Sequence, residues 1–407
     1  MKEYPTIGNS KTVKSANMAS ILNTIRYNHG LSRIRISELT GLSAGATSAL
    51  VNELIANRLV AEYGEGDSSG GRKPILLKIR EDCNYVIGID MSQKNKIVIA
   101  LINFAGHVIS SVETRYSYGY HTIENITDNI ITEINNLLKQ LREAESKIFG
   151  IGIAVAGILN KEREKVIFAI DLVFDYEILV NALKGRFKVP VYIENDTSLE
   201  ALAENEYGAG KNQGNLFYMS VKSGIGAGII IDNKIFHGPL GGAGEIGRII
   251  MDLSATASNA PTRGYFEEYV TEESIRRKVV ASQISGRKSA LSQVKDLKLE
   301  MIAKYAEKGD LLCVEIIHEV GTILGFAVNT IIGFYSVPLI VIGGTIIKLG
   351  PQLIKVINDT LKDYSYTVFS DKVSVAPSIL QDNAALVGAS AFIIQKIFNS
   401  PELILDV

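Results

Sequence analysis

Asn195-Asp196 ends the apolar run VPVYIE and opens a stretch rich in Leu, Ala and Glu. A carboxylate at a strand-to-helix turn can take a proton from a substrate hydroxyl. It can equally cap the helix that follows. The residues alone leave both roles for Asp196 open. Further on, SGIGAGIIIDNKIFHGPLGGAGEIGR (residues 223–248) holds eight glycines in 26 residues. Gly-rich turns after strands bring backbone N–H groups close to phosphates. The stretch poses a choice between the nucleotide site of a working enzyme and a scaffold kept for another task.

The elements that must position these residues read as α/β. Residues 85–103 carry the pattern of two paired strands, and 122–145 that of an amphipathic helix with Ile123, Ile126, Ile130, Ile134, Leu137 and Leu141 at helical spacing. Residues 148–159 read as a buried strand ending in Gly, 189–208 as a strand turning into a helix, 215–236 as strand, glycine turn, strand, and 338–346 as a strand ending in two glycines. In open α/β sheets ligands bind beyond the carboxyl ends of the strands. Residues 321–347 carry no charge, yet Pro338 and several Gly, Asn, Thr and Ser residues interrupt them. A spanning helix wants about 20 unbroken apolar residues, so this stretch reads as a buried helix followed by a buried strand rather than as a membrane span.

The first 80 residues have another character. They hold 11 Lys/Arg against 6 Asp/Glu, while the remainder holds 31 against 38. A basic head on an acidic body points to nucleic acid at one end. Met18, Ile21, Leu22 and Ile25 predict an amphipathic helix, and Ser37-Glu38-Leu39 sits on a short second one. Gly41 supplies a turn, Ser43 an N-cap, and Leu50, Val51, Leu54 and Ile55 the buried face of a third helix. This is the helix-turn-helix pattern. Its exposed start, where base edges are met, is expected at Ser43, Ala44, Gly45, Ala46, Thr47 and Ser48. Residues 59–79 then read as a hairpin, with Arg72 and Lys73 between Gly71 and Pro74 as a wing entering a minor groove.

Length and composition set the remaining bounds. At 407 residues the chain has room for two or three domains of about 150 residues each. Two cysteines, Cys83 and Cys313, exclude a disulfide framework and a four-Cys zinc site and suit a reducing cytoplasm. No basic-then-apolar leader opens the sequence.

Taken in order, GEGDSSGGRKP (64–74), GIGIAVAGIL (150–159), IENDTSLEALAE (193–204), residues 223–248 and VIGG (341–344) resemble the ROK family of repressors, open reading frames and sugar kinases. The likeness is strongest to its xylose-repressor and N-acetylglucosamine-repressor branch. It implies a winged helix-turn-helix followed by a two-lobed, actin-like (hexokinase-type) domain. The expected divisions are 1–81 for the DNA-binding head, 82–195 for a first lobe completed by residues 383–407, and 196–382 for a second lobe that binds sugar and dimerises. The resemblance carries sugar contacts to Asn195, Asp196, Glu245 and Glu267, and places Asp171 where the family often has a sugar-binding Asn.

Two departures bear on function. Family kinases hold ATP phosphates with an Asp followed by Gly-Gly-Thr, whereas this chain has Asp90-Met91-Ser92-Gln93-Lys94. Side chains there crowd a phosphate, so ATP is not expected and Asp196 is a vestigial base. The family also places a His after GEIG and three Cys further on. Here Arg248 replaces the His, and residues 254–270 contain no Cys. Structural zinc takes about four N or S ligands, so neither metal nor cofactor is expected. Arg248 is free to reach a sugar or to pair with Glu245. The expectation is a non-enzymatic, cytoplasmic, sugar-responsive repressor, a homodimer or tetramer on operator DNA with no membrane partner. The alternatives are a sugar kinase with a DNA-binding head and a ligand-independent regulator with a degenerate cleft.

Overall fold

The computed structural model describes residues 10–28, 30–66, 73–116, 122–141, 147–169, 174–256, 263–292 and 294–405. Helix α1 (Ser10–Tyr27) turns Met18, Ile21, Leu22 and Ile25 inward, each at most 2% exposed. Strand β1 (Leu31–Ser32) leads into α2 (Arg33–Thr40), which ends on Gly41 in the left-handed conformation at φ 71°. Glycine adopts that conformation without the Cβ penalty, so the chain can turn directly into α3 (Ala44–Ala56). Strands β2 (Val60–Glu65) and β3 (Ile75–Ile79) pair antiparallel, and β1 adds to β3. Three helices and a three-stranded sheet are the element set expected of a winged helix-turn-helix.

Strands β4 (Asn84–Asp90), β5 (Lys96–Asn103) and β6 (Val108–Arg115) follow as an antiparallel meander. After α4 (Ile123–Leu138), β7 (Lys147–Val155) pairs parallel with β4. The short hairpin β8 (Ile158–Leu159) and β9 (Val166–Phe168) precedes α5 (Tyr176–Phe187) and β10 (Val191–Asn195). The first large sheet has the order β10-β7-β4-β5-β6.

Helix α6 (Asp196–Tyr207) opens the second set. Strands β11 (Leu216–Val221), β12 (Ile225–Ile231) and β13 (Lys234–Ile235) again form an antiparallel meander. Helices α7 (Leu253–Thr256), α8 (Glu267–Val270), α9 (Glu272–Ile284), α10 (Leu299–Glu307) and α11 (Leu311–Tyr335) come next. Strand β14 (Leu339–Gly343) pairs parallel with β11. Then come α12 (Pro351–Tyr364), α13 (Thr367–Ser370), β15 (Ser374–Pro377) parallel to β14, and α14 (Ala384–Asn399). The order β13-β12-β11-β14-β15 repeats that of the first sheet, strand for strand. Two such sheets are the duplicated plan of an actin-like fold. Helix α11 has the length and apolarity to cross a membrane, but its face from Leu312 to Ile332 is buried in a core with β11, β14, α10 and α12.

The chain forms two compact units, one of residues 1–155, 171–194 and 389–407, the other of 156–170 and 195–388. These divisions differ from the expected ones. The first lobe is not the single run 82–195, because residues 156–170 cluster with the second unit. The C-terminal helix joins the first unit from residue 389 rather than 383, and residues 1–81 share that unit rather than standing apart. The reason is one continuous core. Met18, Ile21, Leu22, Leu54 and Leu77 of the head pack in the same cluster as Val86, Phe104, Phe149, Ile394 and Phe398. Phe104 meets the rings of Phe149 and Phe398 at 5.2 and 6.0 Å. The Asn23 amide donates to the Asn399 side-chain oxygen at 3.0 Å, and Ser15 donates to Glu402.

Phe398 is fully buried at the join. Phe398→Ala is expected to cost about 3–5 kcal/mol in urea unfolding followed by circular dichroism, from lost transfer energy plus a cavity. A loss below about 1 kcal/mol, far under that range, would show that the cluster does not hold the head.

Candidate functional site

In the second unit, the turn from β10 into α6 is set by Asn195. Its Oδ1 accepts from Ser198 N at 2.9 Å, which caps α6, and its Nδ2 donates to Gly157 O at 3.1 Å. The cap is therefore Asn195, not Asp196, which occupies the first helical position. Asp196 lies 4.0 Å from the Lys222 ammonium, and Lys222 donates to Glu200 at 2.5 Å. Lys222 is a partner that sequence reasoning missed. An ion-paired carboxylate next to a cation is an acceptor, which suits holding a hydroxyl.

The glycines of residues 223–248 have a packing reason. A Cβ on Gly228 would press within 2.5 Å of Ala201 Cβ and Thr197 O, so β12 lies against α6 at backbone distance. Gly244 has φ 103°, and a Cβ there would collide with Ala227 O, while its own carbonyl accepts from Ala227 N at 2.8 Å. Residues 223–224 form a hairpin turn closed by Lys222 N donating to Gly224 O at 2.9 Å.

Between α6, β12 and the loop 237–245 lies an open cavity whose roughly 350 Å³ includes space open to solvent. Asn195 and Glu245 line it, as do Gly157, Ser198, Arg163 and His237. Burial chiefly, and the nearby Glu267 carboxylate next, raise the Glu245 pKa above the usual carboxylate value, with Arg248 opposing. Burial lowers the Arg163 guanidinium to about 10, and Arg163 donates to Gly241 O at 3.0 Å. Arg163 sits in the charged run KEREK, which reads from sequence as a solvated turn, and His237 is a lone imidazole among glycines. Neither carries a signal that spacing could expose.

Arg248 does not pair with Glu245. Its Nε lies 3.2 Å from Glu267 Oε1, and its guanidinium stacks over Tyr265 at 5.0 Å. A guanidinium offers only N–H donors, so the zinc position implied by the resemblance does not fit here. Among the described residues no group of three or more His, Cys, Asp or Glu could hold a metal ion. The segment is tied instead by hydrogen bonds. Phe266 N donates to Ile249 O at 2.8 Å, Met251 N to Gly264 O at 2.7 Å, and Tyr269 Oη to Asp252 at 3.2 Å. Asp171 lies outside the described residues.

In the first unit, Asp90 is buried and its carboxylate accepts from Ser92 N at 2.9 Å, Ser92 Oγ at 2.6 Å and Gln93 Nε2 at 3.4 Å. Met91 is fully buried beside it. In the head, Ser43 caps α3 by accepting from Ala46 N at 3.2 Å. Ala44 and Gly45 are exposed and Ser48 half-buried. Thr47, expected on the exposed start, is fully buried, because it falls one turn before Leu50, Val51 and Leu54 on the inward face. Lys73 is exposed 3.7 Å from Glu65, and Arg72 lies outside the described residues.

The raised Glu245 carboxyl gives a pH test. A folded state that binds the proton more tightly than the unfolded chain loses stability as pH rises from the ordinary carboxylate value, about 4.3, through the folded one. Glu245→Gln cannot ionise, so it should melt higher than the wild type at neutral pH, with the gap closing below about pH 4. A gap constant across pH in thermal denaturation would place the Glu245 carboxyl in free solvent.

The geometry can be set beside known proteins. The sequence pattern of the ROK family matches residues 86–396. The chain is 31% identical over 399 residues to the xylose repressor of Caldicellulosiruptor bescii, covering 97% of this chain and all of that one. Its fold is similar to the crystal structure of a ROK family transcriptional regulator, a homologue of the Escherichia coli MLC protein, with TM-score 0.83 and 24% identity over 96% of this chain and 98% of that one. It is also similar to a ROK family glucokinase from Streptomyces griseus, with TM-score 0.63 and 22% identity over 76% of this chain and 99% of that one. Repeated sheets, a matching family pattern and a full-length relative together mean that the chain belongs to the ROK family.

Proposed function

We propose that this protein is a sugar-responsive repressor of transcription, active in the cytoplasm, whose grip on operator DNA is released by a sugar in the cavity beside Asn195 and Glu245. The observation that carries this reading is the xylose repressor matched along its whole length, head included. The likeness to the glucokinase leaves about a quarter of this chain uncovered, whereas the likeness to the regulator does not. Asn195 and Glu245, with Asp196, Glu267 and Arg248 nearby, supply the acceptors and donors that a polyol needs. Two copies would present two heads to the half-sites of a palindrome. Sugar acts by binding one state better than the other, and only that difference shifts the equilibrium.

A kinase is the second reading, favoured by the glucokinase likeness. Against it stands the Asp90 loop. Its carboxylate already accepts from Ser92 and Gln93, and the run Asp90–Lys94 has no glycine to let a phosphate approach the backbone.

A panel of pentoses, hexoses, N-acetylhexosamines and their phosphates, screened by thermal shift, should contain one sugar that raises the midpoint, by about 2.7 kcal/mol of stabilisation at a hundredfold excess over Kd. The same sugar should release DNA in a gel shift. Stabilisation without release would refute the inducer role, and sugar-dependent ATP turnover in a coupled assay would make the chain a kinase. Replacing Arg72 and Lys73 by Ala should weaken DNA binding and lower its salt slope by about one per lost phosphate contact. An unchanged slope would remove the wing from the interface.

A further inference from the structure

The small residues at the start of α3 leave open which side chain of the head reads bases. On α3, Gly45, Ala49, Asn52 and Ala56 are exposed and Ser48 is half-buried. Helical spacing places these five on one face. Asn52 is the longest of them and carries the only amide. Its glycine and alanine neighbours let the helix backbone approach a groove closely while Asn52 projects furthest.

Asn52 is also held. Arg33, at the first position of α2, donates from Nη2 to Asn52 Oδ1 at 3.0 Å. From Nη1 the same guanidinium reaches Glu62 Oε1 on β2 at 2.8 Å. One planar fork thus ties the start of α2, the third turn of α3 and the first strand of the hairpin. The Arg33 side chain is 24% exposed, so the fork is partly sheltered from water. Arginine has donors and no acceptor, so the Asn52 atom facing it is the oxygen. The amide NH2, with two donors, then faces away from Arg33.

We propose that Asn52 is the base-reading side chain of this head, presented donor-first by Arg33, and that it selects guanine in the major groove. The inference rests on the DNA-binding reading given above. In the major groove guanine shows two neighbouring acceptors, N7 and O6, whereas adenine shows N7 beside a donating amino group. Asparagine commonly pairs with adenine by giving from its nitrogen and accepting on its oxygen. Here that oxygen is engaged by a cation whose own N–H groups would face the adenine amino group, donor to donor. Two adjacent acceptors match the outward NH2 better. Arg33 is a positioning residue in this scheme, and Glu62 fixes its second arm.

The test uses the full-length protein and a duplex library with about 30 random base pairs, a span that covers two half-sites one to two helical turns apart. Bound sequences are enriched, read out, and their affinities measured by fluorescence anisotropy. The wild type should enrich a half-site with a guanine, and 7-deazaguanine at that place, which lacks the N7 acceptor, should weaken binding. Asn52→Ala should lose the preference at that base pair alone and bind the selected duplex about tenfold more weakly, the scale of one good base contact. Asn52→Asp keeps an acceptor for Arg33 but has no donor, and should lose the same preference. Arg33→Ala should relax that base pair, and no other, towards a guanine and adenine mixture. Asn52 variants that select the wild-type sequence at wild-type affinity would overturn the inference, as would adenine in place of guanine. A wild type that enriches no sequence would instead bring down the DNA-binding reading itself.

Discussion

Helix α6 is buried from Thr197 to Asn205, yet Glu200 and Glu204 stand within that span. A carboxylate out of water costs several kcal/mol unless it is paired or hydrogen-bonded. The surrounding unit is arranged around that requirement. Glu204 accepts from Ser378 Oγ at 2.6 Å, from Ile379 N and Leu380 N at 3.0 Å, and from Ala209 N at 2.7 Å. Those contacts bind the loop after β15 and the end of α6 to one carboxyl group. Glu200 is matched by Lys222 at the end of β11. Tyr218 lies on β11, and burial first, with both glutamates next, pushes its phenol well above its ordinary value. Asn195, half-buried at the start of α6, lines the cavity.

Lys222 therefore belongs to two systems. It neutralises Glu200 inside the unit and reaches Asp196 at the edge. Asn195 has a double part of its own, since it caps α6 and lines the cavity. The buried Asp90 carboxylate of the first unit is satisfied more locally. It is supplied by its own neighbours, Ser92 and Gln93.

Much of this was legible from residue order. The period of Ile126, Ile130 and Ile134 gave α4, and the strand-to-helix turn at Asn195 fell where expected. The eight glycines of residues 223–248 were visible, but their meaning was not. Spacing suggested phosphate, whereas the close approach of β12 to α6 explains Gly228 without one. Such approach depends on Thr197 and Ala201, some thirty residues away, and no local pattern encodes it. The same limit hid the partner of Arg248, since Glu245 is three residues off in sequence and Glu267 nineteen. Thr47 was misplaced for a simpler reason. A small polar residue near a cap looks solvated, and only the phase of the helix shows that it points inward.

The head shares its core with residues near the C-terminus, among them Ile393, Ile397, Phe398 and Leu405. In evolutionary terms the N-terminal module is not a bead on a string. Recombination at the boundary near residue 81 would deliver a head whose α1 meets a foreign C-terminal helix, with an apolar face unmatched on both sides. Changes at a few exposed residues of α3 leave that core untouched, whereas shuffling whole heads does not. For the same reason, a chimera built to redirect this regulator has to carry residues 389–405 along with its new head.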